Sequence, residues 1–138
     1  MTLAEPTKEQ EKLIIRYVSK RLKMYKKYLL CTQPQITVHF KLDEKHLHFN
    51  FLSNAEREAY ENVIFLYRKI NRLHKDYRQI IHCYYLSDSP PSPVQMADLF
   101  HVGVSTFHRM RRKALLSLGY AMGYATIDLD FISQQKEG

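Results

Sequence analysis

The sequence predicts a mainly α fold: an N-terminal basic helix, room for a small β-hairpin, then four helices of which the last two are joined by a tight turn. Three observations carry that reading. Apolar residues recur at helical spacing from Leu13 to Leu29 and again from Ala59 to Leu73. Capping residues stand where helices should start, at Ser53 with Glu56 and at Ser92 with Pro93 and Gln95. Helical patterning on either side of His101-Val102-Gly103 leaves little more than those residues for a turn.

The first helix spans about 7 to 30. Thr7 caps it, and Glu9 and Glu11 sit at the positive end of its dipole. Leu13, Ile14, Tyr17, Val18, Leu22, Tyr25 and Leu29 make one apolar face. Lys12, Arg16, Lys20, Arg21, Lys23, Lys26 and Lys27 crowd the rest, with no acid after Glu11. Gln33-Pro34-Gln35 stops the helix, because the residue before proline avoids the helical region. Ile36, Val38, Phe40 and Leu42 then alternate, as do Leu47, Phe49 and Phe51, which is the spacing of a small hairpin. No Asn-Gly or Asp-Gly turn marks it. Ser53 opens the second helix, whose inner face is Ala59, Val63, Leu66, Tyr67, Ile70 and Leu73. A third helix, about 75 to 86, carries Tyr77, Ile80, Ile81, Tyr84 and Tyr85. "SDSPPSP" is a loop by composition. Ser92 then caps a short helix from Pro93 to Phe100, and a longer one begins near Val104 and reaches Gly119 or Gly123. The chain thus divides into a basic helix with an extended segment over 1–52, a helical domain over 53–123 and a tail over 124–138.

Composition narrows the function. The formal net charge of +7 attracts polyanions: nucleic acid, an anionic membrane surface or an acidic protein. Ten Tyr and seven Phe supply core volume without any Trp. Cys31 and Cys83 are far apart and in no C-x-x-C pair, so neither a disulfide framework nor a zinc signature is present, and a reduced cytoplasm fits. "MTLAEPTKEQ" is polar and acidic, unlike a secretory signal, and "VIFLY" is far too short to span a bilayer. His46 and His48 share a strand face with no third ligand suggested nearby. Cys83 and His82 are adjacent and so point to different sides of a helix. There is no glycine-rich phosphate loop and no carboxylate pair in a catalytic spacing. The expectation is a non-enzyme with no catalytic residues, no metal and no cofactor.

The last two helices carry the sharper reading. Two helices packed steeply through a tight turn need a small residue in the first and apolar residues around the turn. Ala97 is the small residue, Met96 and Phe100 face inward, and Val102 plugs the turn. Phe107, Met110 and Ala114, followed by Leu118, form the inner stripe of the second helix. At about 100° per residue, Ser105, Arg109 and Arg112 lie opposite that stripe, with Thr106, His108 and Lys113 on the flanks. That outer face is rich in donors and free of acid, which suits phosphate oxygens and base edges. Arg111 falls near the apolar arc and is expected to snorkel or to pair with an acid such as Asp98. The plain alternative is a solvated amphipathic helix. The basic face of the first helix serves solubility, a phosphate contact, a polymerase contact or an anionic membrane; Tyr17, Tyr25 and Tyr28 suit a core, an interface or a membrane.

Further motifs run along residues 54 to 123: Ile70-Asn71-x-Leu73, Tyr77-Arg78-Gln79, Met96-Ala97, Ser105-Thr106-Phe107 and Arg109-Met110 leading to Ala114-Leu115-Leu116. In their order and spacing they resemble region 4 of sigma-70-type factors, and more closely the ArpU family of phage and prophage transcriptional regulators. The resemblance implies a basic N-terminal helix followed by a sigma-region-4-like helix-turn-helix. It implies binding of double-stranded DNA in a bacterial host cytoplasm, with control of phage late or lysis-related genes. RNA polymerase is a further partner it admits, self-association stays open, and no membrane is involved. On this reading Ser105 and Thr106 meet phosphate or base and Arg109 reads a base such as guanine. His108, Arg112 and Lys113 contact backbone or flanking bases. Three features depart from the family pattern. His101 stands where Gly is usual, and the turn there calls for a left-handed backbone. "PPSP" is richer in proline, and nothing in 36–51 matches. Two rival functions remain: a DNA-packaging adaptor like a small terminase subunit, and a polymerase-binding module that does not bind DNA by itself.

Overall fold

The structure, a computed structural model, describes residues 6–30, 32, 34, 36–43 and 53–124. Cys31, the His46 and His48 pair, the alternating Leu47, Phe49 and Phe51, and the tail from 125 onward lie outside the described residues. The fold is mainly α, as the periodicity predicts. Helix α1 is Lys8–Tyr28, α2 is Asn54–Ile70, α3 is Lys75–Ile80, α4 is Pro93–Leu99 and α5 is Val104–Ala121. Helix α3 runs directly into a π-helical turn, Ile81–Leu86.

Local chemistry sets the helix starts. Thr7 and Gln10 close a reciprocal capping box on α1, the Gln10 N–H reaching Thr7 Oγ1 at 3.2 Å and the Thr7 N–H reaching Gln10 Oε1 at 2.8 Å. Ser53 Oγ accepts from the Glu56 N–H at 3.2 Å. Ser92 and Gln95 form a second full box, with Pro93 at the first helical position where no N–H is needed.

The ends of α4 and α5 share one device. After α4, the His101 N–H bonds Asp98 O and the Val102 N–H bonds Ala97 O, at 3.1 and 3.0 Å. After α5, the Gly123 N–H bonds Tyr120 O and the Tyr124 N–H bonds Gly119 O, at 3.0 and 2.9 Å. Both are Schellman turns, which need a left-handed residue just beyond the helix. Gly123 meets that need at φ 91° and His101 at φ 56°, so the left-handed backbone expected at His101 is present.

One apolar core joins all the helices. Ile14, Val18, Leu22 and Tyr25 of α1 are buried in it, as are Val63, Leu66, Tyr67 and Ile70 of α2 and Leu73 just beyond; Ala59 is buried outside it. The tyrosines of α1 belong to this core: Tyr17 meets Tyr124 edge-on at 4.9 Å, and Tyr28 meets Tyr25 at 6.1 Å. Helix α1 crosses α5 at Gly119, where a Cβ would stand 2.5 Å from Ile14 Cγ2 and 3.2 Å from Val18 Cγ2. No side chain fits there unless the stiff β-branched neighbours move.

The segment from Ile36 to Leu42 is not the strand arm its alternation predicts. Ile36 and Leu42 pair in one antiparallel bridge, and the chain reverses between them. The Thr37 N–H bonds Lys41 O at 2.8 Å, and Phe40 takes φ 61°. The backbone hydrogen bonds that a partner strand would have supplied come from the corner between α2 and α3. Asn71 Oδ1 accepts from the Leu42 N–H at 2.9 Å. Buried Arg78 donates from Nε to His39 O at 3.0 Å and from Nη1 to Leu73 O at 2.6 Å. Docking onto that corner buries Leu42 and leaves Val38 exposed, so the two do not share a face as strand spacing requires.

Candidate nucleic-acid interface

Helices α4 and α5 present the outer face that their sequence implies. Met96, Ala97, Phe107 and Ala114 are fully buried between them, while Phe100, Val102 and Met110 are half-buried against the same core. Tyr84, on the π-helical turn, packs edge-on to Phe107 at 5.3 Å and braces α5 from behind. Ser105, Arg109, Arg112 and Lys113 are exposed; Thr106 and His108 are half-buried at the edge of the face. Arg109 Nη2 donates to Thr106 Oγ1 at 3.1 Å, which ties the central cation to the helix's first turn. No acid occurs anywhere in α5. The face is therefore a set of donors on a helix packed against the core, one turn after a tight reversal of chain.

Arg111 is the cation that behaves differently. It does not pair with Asp98. Its Nη1 donates to the Tyr85 hydroxyl at 2.9 Å and its Nε to His108 Nδ1 at 3.3 Å. Burial pushes the Tyr85 phenol above its ordinary range, and the Arg111 guanidinium opposes that rise. Arg111 thus links α5 to the π-helical turn and takes no part in the outer face. On the same turn, His82 Nδ1 lies 3.0 Å from the Tyr67 hydroxyl, and burial holds this imidazole below its ordinary pKa. Cys83 is half-buried, with its thiol pushed up by burial.

Two features of the site have no counterpart in the sequence reading. Leu115 and Gly119 are buried although neither lies on the narrow inner stripe. The cause is α1, which covers a second side of α5 along its C-terminal half. As a result the N-terminal turns of α1 run beside the outer face of α5 and enclose a groove of about 420 Å³ with it. Lys8 and Lys12 line one wall, and Arg109, Arg112 and Lys113 the other. Nothing in the spacing of either helix joins these residues, which are about a hundred positions apart in the chain; the α1–α5 crossing at Gly119 does.

Among the described residues, no group of three or more His, Cys, Asp or Glu side chains is placed to hold a metal ion. No helix of the described residues is long and apolar enough to cross a membrane. Comparison with family models, with curated proteins and with solved structures finds no match to the chain.

Proposed function

We propose that the chain is a DNA-binding protein of the helix-turn-helix class, with α4 as the supporting helix and α5 as the helix that enters the major groove. Within that class we read it as a sigma-region-4-like transcriptional regulator of the ArpU type, acting on phage or prophage genes in a bacterial cytoplasm. The observation that carries the reading is the outer face of α5: Ser105, Arg109, Arg112 and Lys113 exposed together, without an acid, on a helix fixed from behind by Phe107 and Ala114. Arginine is suited to bidentate contact with guanine in the major groove, and the flanking hydroxyls and lysine suit phosphate oxygens.

Selection of bound duplexes from random DNA at physiological salt tests this, wild type against Arg109→Ala. Wild type enriches a defined site. Arg109→Ala binds that site more weakly by about 1–3 kcal/mol and relaxes one base position. An unchanged sequence preference would remove Arg109 from base reading, and no enrichment by wild type would remove the DNA-binding reading altogether.

A further inference from the structure

We infer that the N-terminal turns of α1 form a second phosphate-binding wall beside α5, through Lys8 and Lys12. The inference rests on the DNA-binding reading and specifies where the duplex backbone runs. Helices in contact lie about 8–10 Å apart axis to axis. A helix seated in the major groove, about 12 Å wide, has a sugar–phosphate backbone on either side at a similar offset. A helix packed alongside α5 therefore lies over one backbone and not over the bases.

Helix α1 is placed for that contact by its crossing at Gly119, which brings its N-terminal half level with Arg109, Arg112 and Lys113. The walls of the groove hold five cations, Lys8, Lys12, Arg109, Arg112 and Lys113, against one carboxylate, Glu11. Its remaining lining, Ile15 and Leu116, is apolar. Lys12 has a local partner, Glu9, at 3.5 Å. Both side chains of that pair are largely exposed, so the pair is weak and screened and gives way to a phosphate. Such a cationic cleft raises the local concentration of a polyanion and releases counterions when a backbone enters it. The far end of α1 is also basic, but Lys20 and Lys27 do not line the groove. Lys27 stands about 22 Å along the helix axis from Lys12, more than two Debye lengths at physiological salt.

The test is the salt dependence of binding to the selected duplex, measured for the full chain between 50 and 200 mM salt. Lys8→Ala with Lys12→Ala is compared with wild type and with a charge-matched control, Lys20→Ala with Lys27→Ala. All four lysines are exposed, so thermal melting should stay as in wild type and confirm folding. Each lost phosphate contact lowers the slope of log K against log salt by about 0.9, so the Lys8/Lys12 variant loses roughly 1.8. Across that fourfold salt range it is then roughly tenfold less salt-sensitive than wild type. Its site preference stays the same, and the Lys20/Lys27 control keeps the wild-type slope. A wild-type slope in the Lys8/Lys12 variant, with Arg109→Ala still defective, would overturn this inference alone and leave the groove to an acidic protein segment. Equal slope losses in both lysine pairs would also overturn it, because the effect would then be general charge. Absence of duplex binding by wild type would instead overturn the DNA-binding reading itself.

Discussion

The basic side chains on the two sides of α5 have opposite situations. On the outer side Arg109, Arg112 and Lys113 are exposed, and Arg109 donates to the hydroxyl of neighbouring Thr106. On the inner side Arg111 is tied to the Tyr85 phenol, and at the α2–α3 corner Arg78 is buried with its guanidinium on two backbone carbonyls. Neither inner arginine is neutralised by an acid in these bonds; both use neutral oxygens of the fold. The difference teaches that a cationic stretch is not one surface. Cations whose donors are already used inside hold elements together, and those whose donors face water remain available to a polyanion. Removing a member of each set should therefore change different measurements.

The largest expected effect is on the inner side. Arg78→Ala removes two charge-assisted hydrogen bonds and strands the carbonyls of His39 and Leu73. It should cost about 1.5–3 kcal/mol in urea unfolding. The salt slope of DNA binding at a temperature where the variant is folded should not change. If the slope fell instead, Arg78 would belong with the outer set. Tyr85→Phe comes next. It deletes the acceptor of Arg111 and should cost about 1 kcal/mol, again with the sequence preference intact. Arg109→Ala supplies the contrast: it weakens specific binding but keeps unfolding stability within about 0.5 kcal/mol of wild type.

The smallest effect is one of pH. Burial lowers the His82 pKa in the folded state below its unfolded value of about 6.5. The unfolded chain then binds more protons near that pH, so the contribution of His82 to stability is present above about 6.5 and is lost as pH falls towards the folded pKa. Urea unfolding followed from pH 7.5 down to pH 5 should show that loss in wild type. His82→Asn keeps a hydrogen-bonding group near the Tyr67 hydroxyl without a titrating imidazole and should flatten the profile. An identical pH profile in the variant would show that His82 is not a buried neutral imidazole.

Much of the fold was legible because it depends on neighbours in sequence. Ser53, and Ser92 with Gln95, cap the helices they were expected to cap; the inner stripe of α2 is buried, as is that of α5 except for half-buried Met110. Thr7 caps α1, and its reciprocal partner is Gln10, not either acid of the first turn. The left-handed turn at His101 followed from its place just past a helix end. The segment Ile36–Leu42 was not legible in the same way. Alternation is the mark of a strand only where a partner strand takes the backbone bonds, and here Asn71 and Arg78 take them. Arg111 shows the same limit. Its place near the apolar arc was readable, but its partner was not, because Tyr85 is 26 residues away and reaches it only through the packing of the π-helical turn.

The sequence by itself determined where the helices begin, which face of each turns inward, and that the outer face of α5 carries donors without acids. Those follow from capping, from the 3.6-residue repeat and from residue identity, all of which act within a few residues. Only the tertiary structure decided which cations stand together. The approach of α1 to α5 over Gly119 sets Lys8 and Lys12 beside Arg109, and the docking of the π-helical turn gives Arg111 its Tyr85 partner. The physical reason is that helix packing depends on the shapes that two surfaces present to each other, and no repeat within one helix encodes the neighbour it will meet.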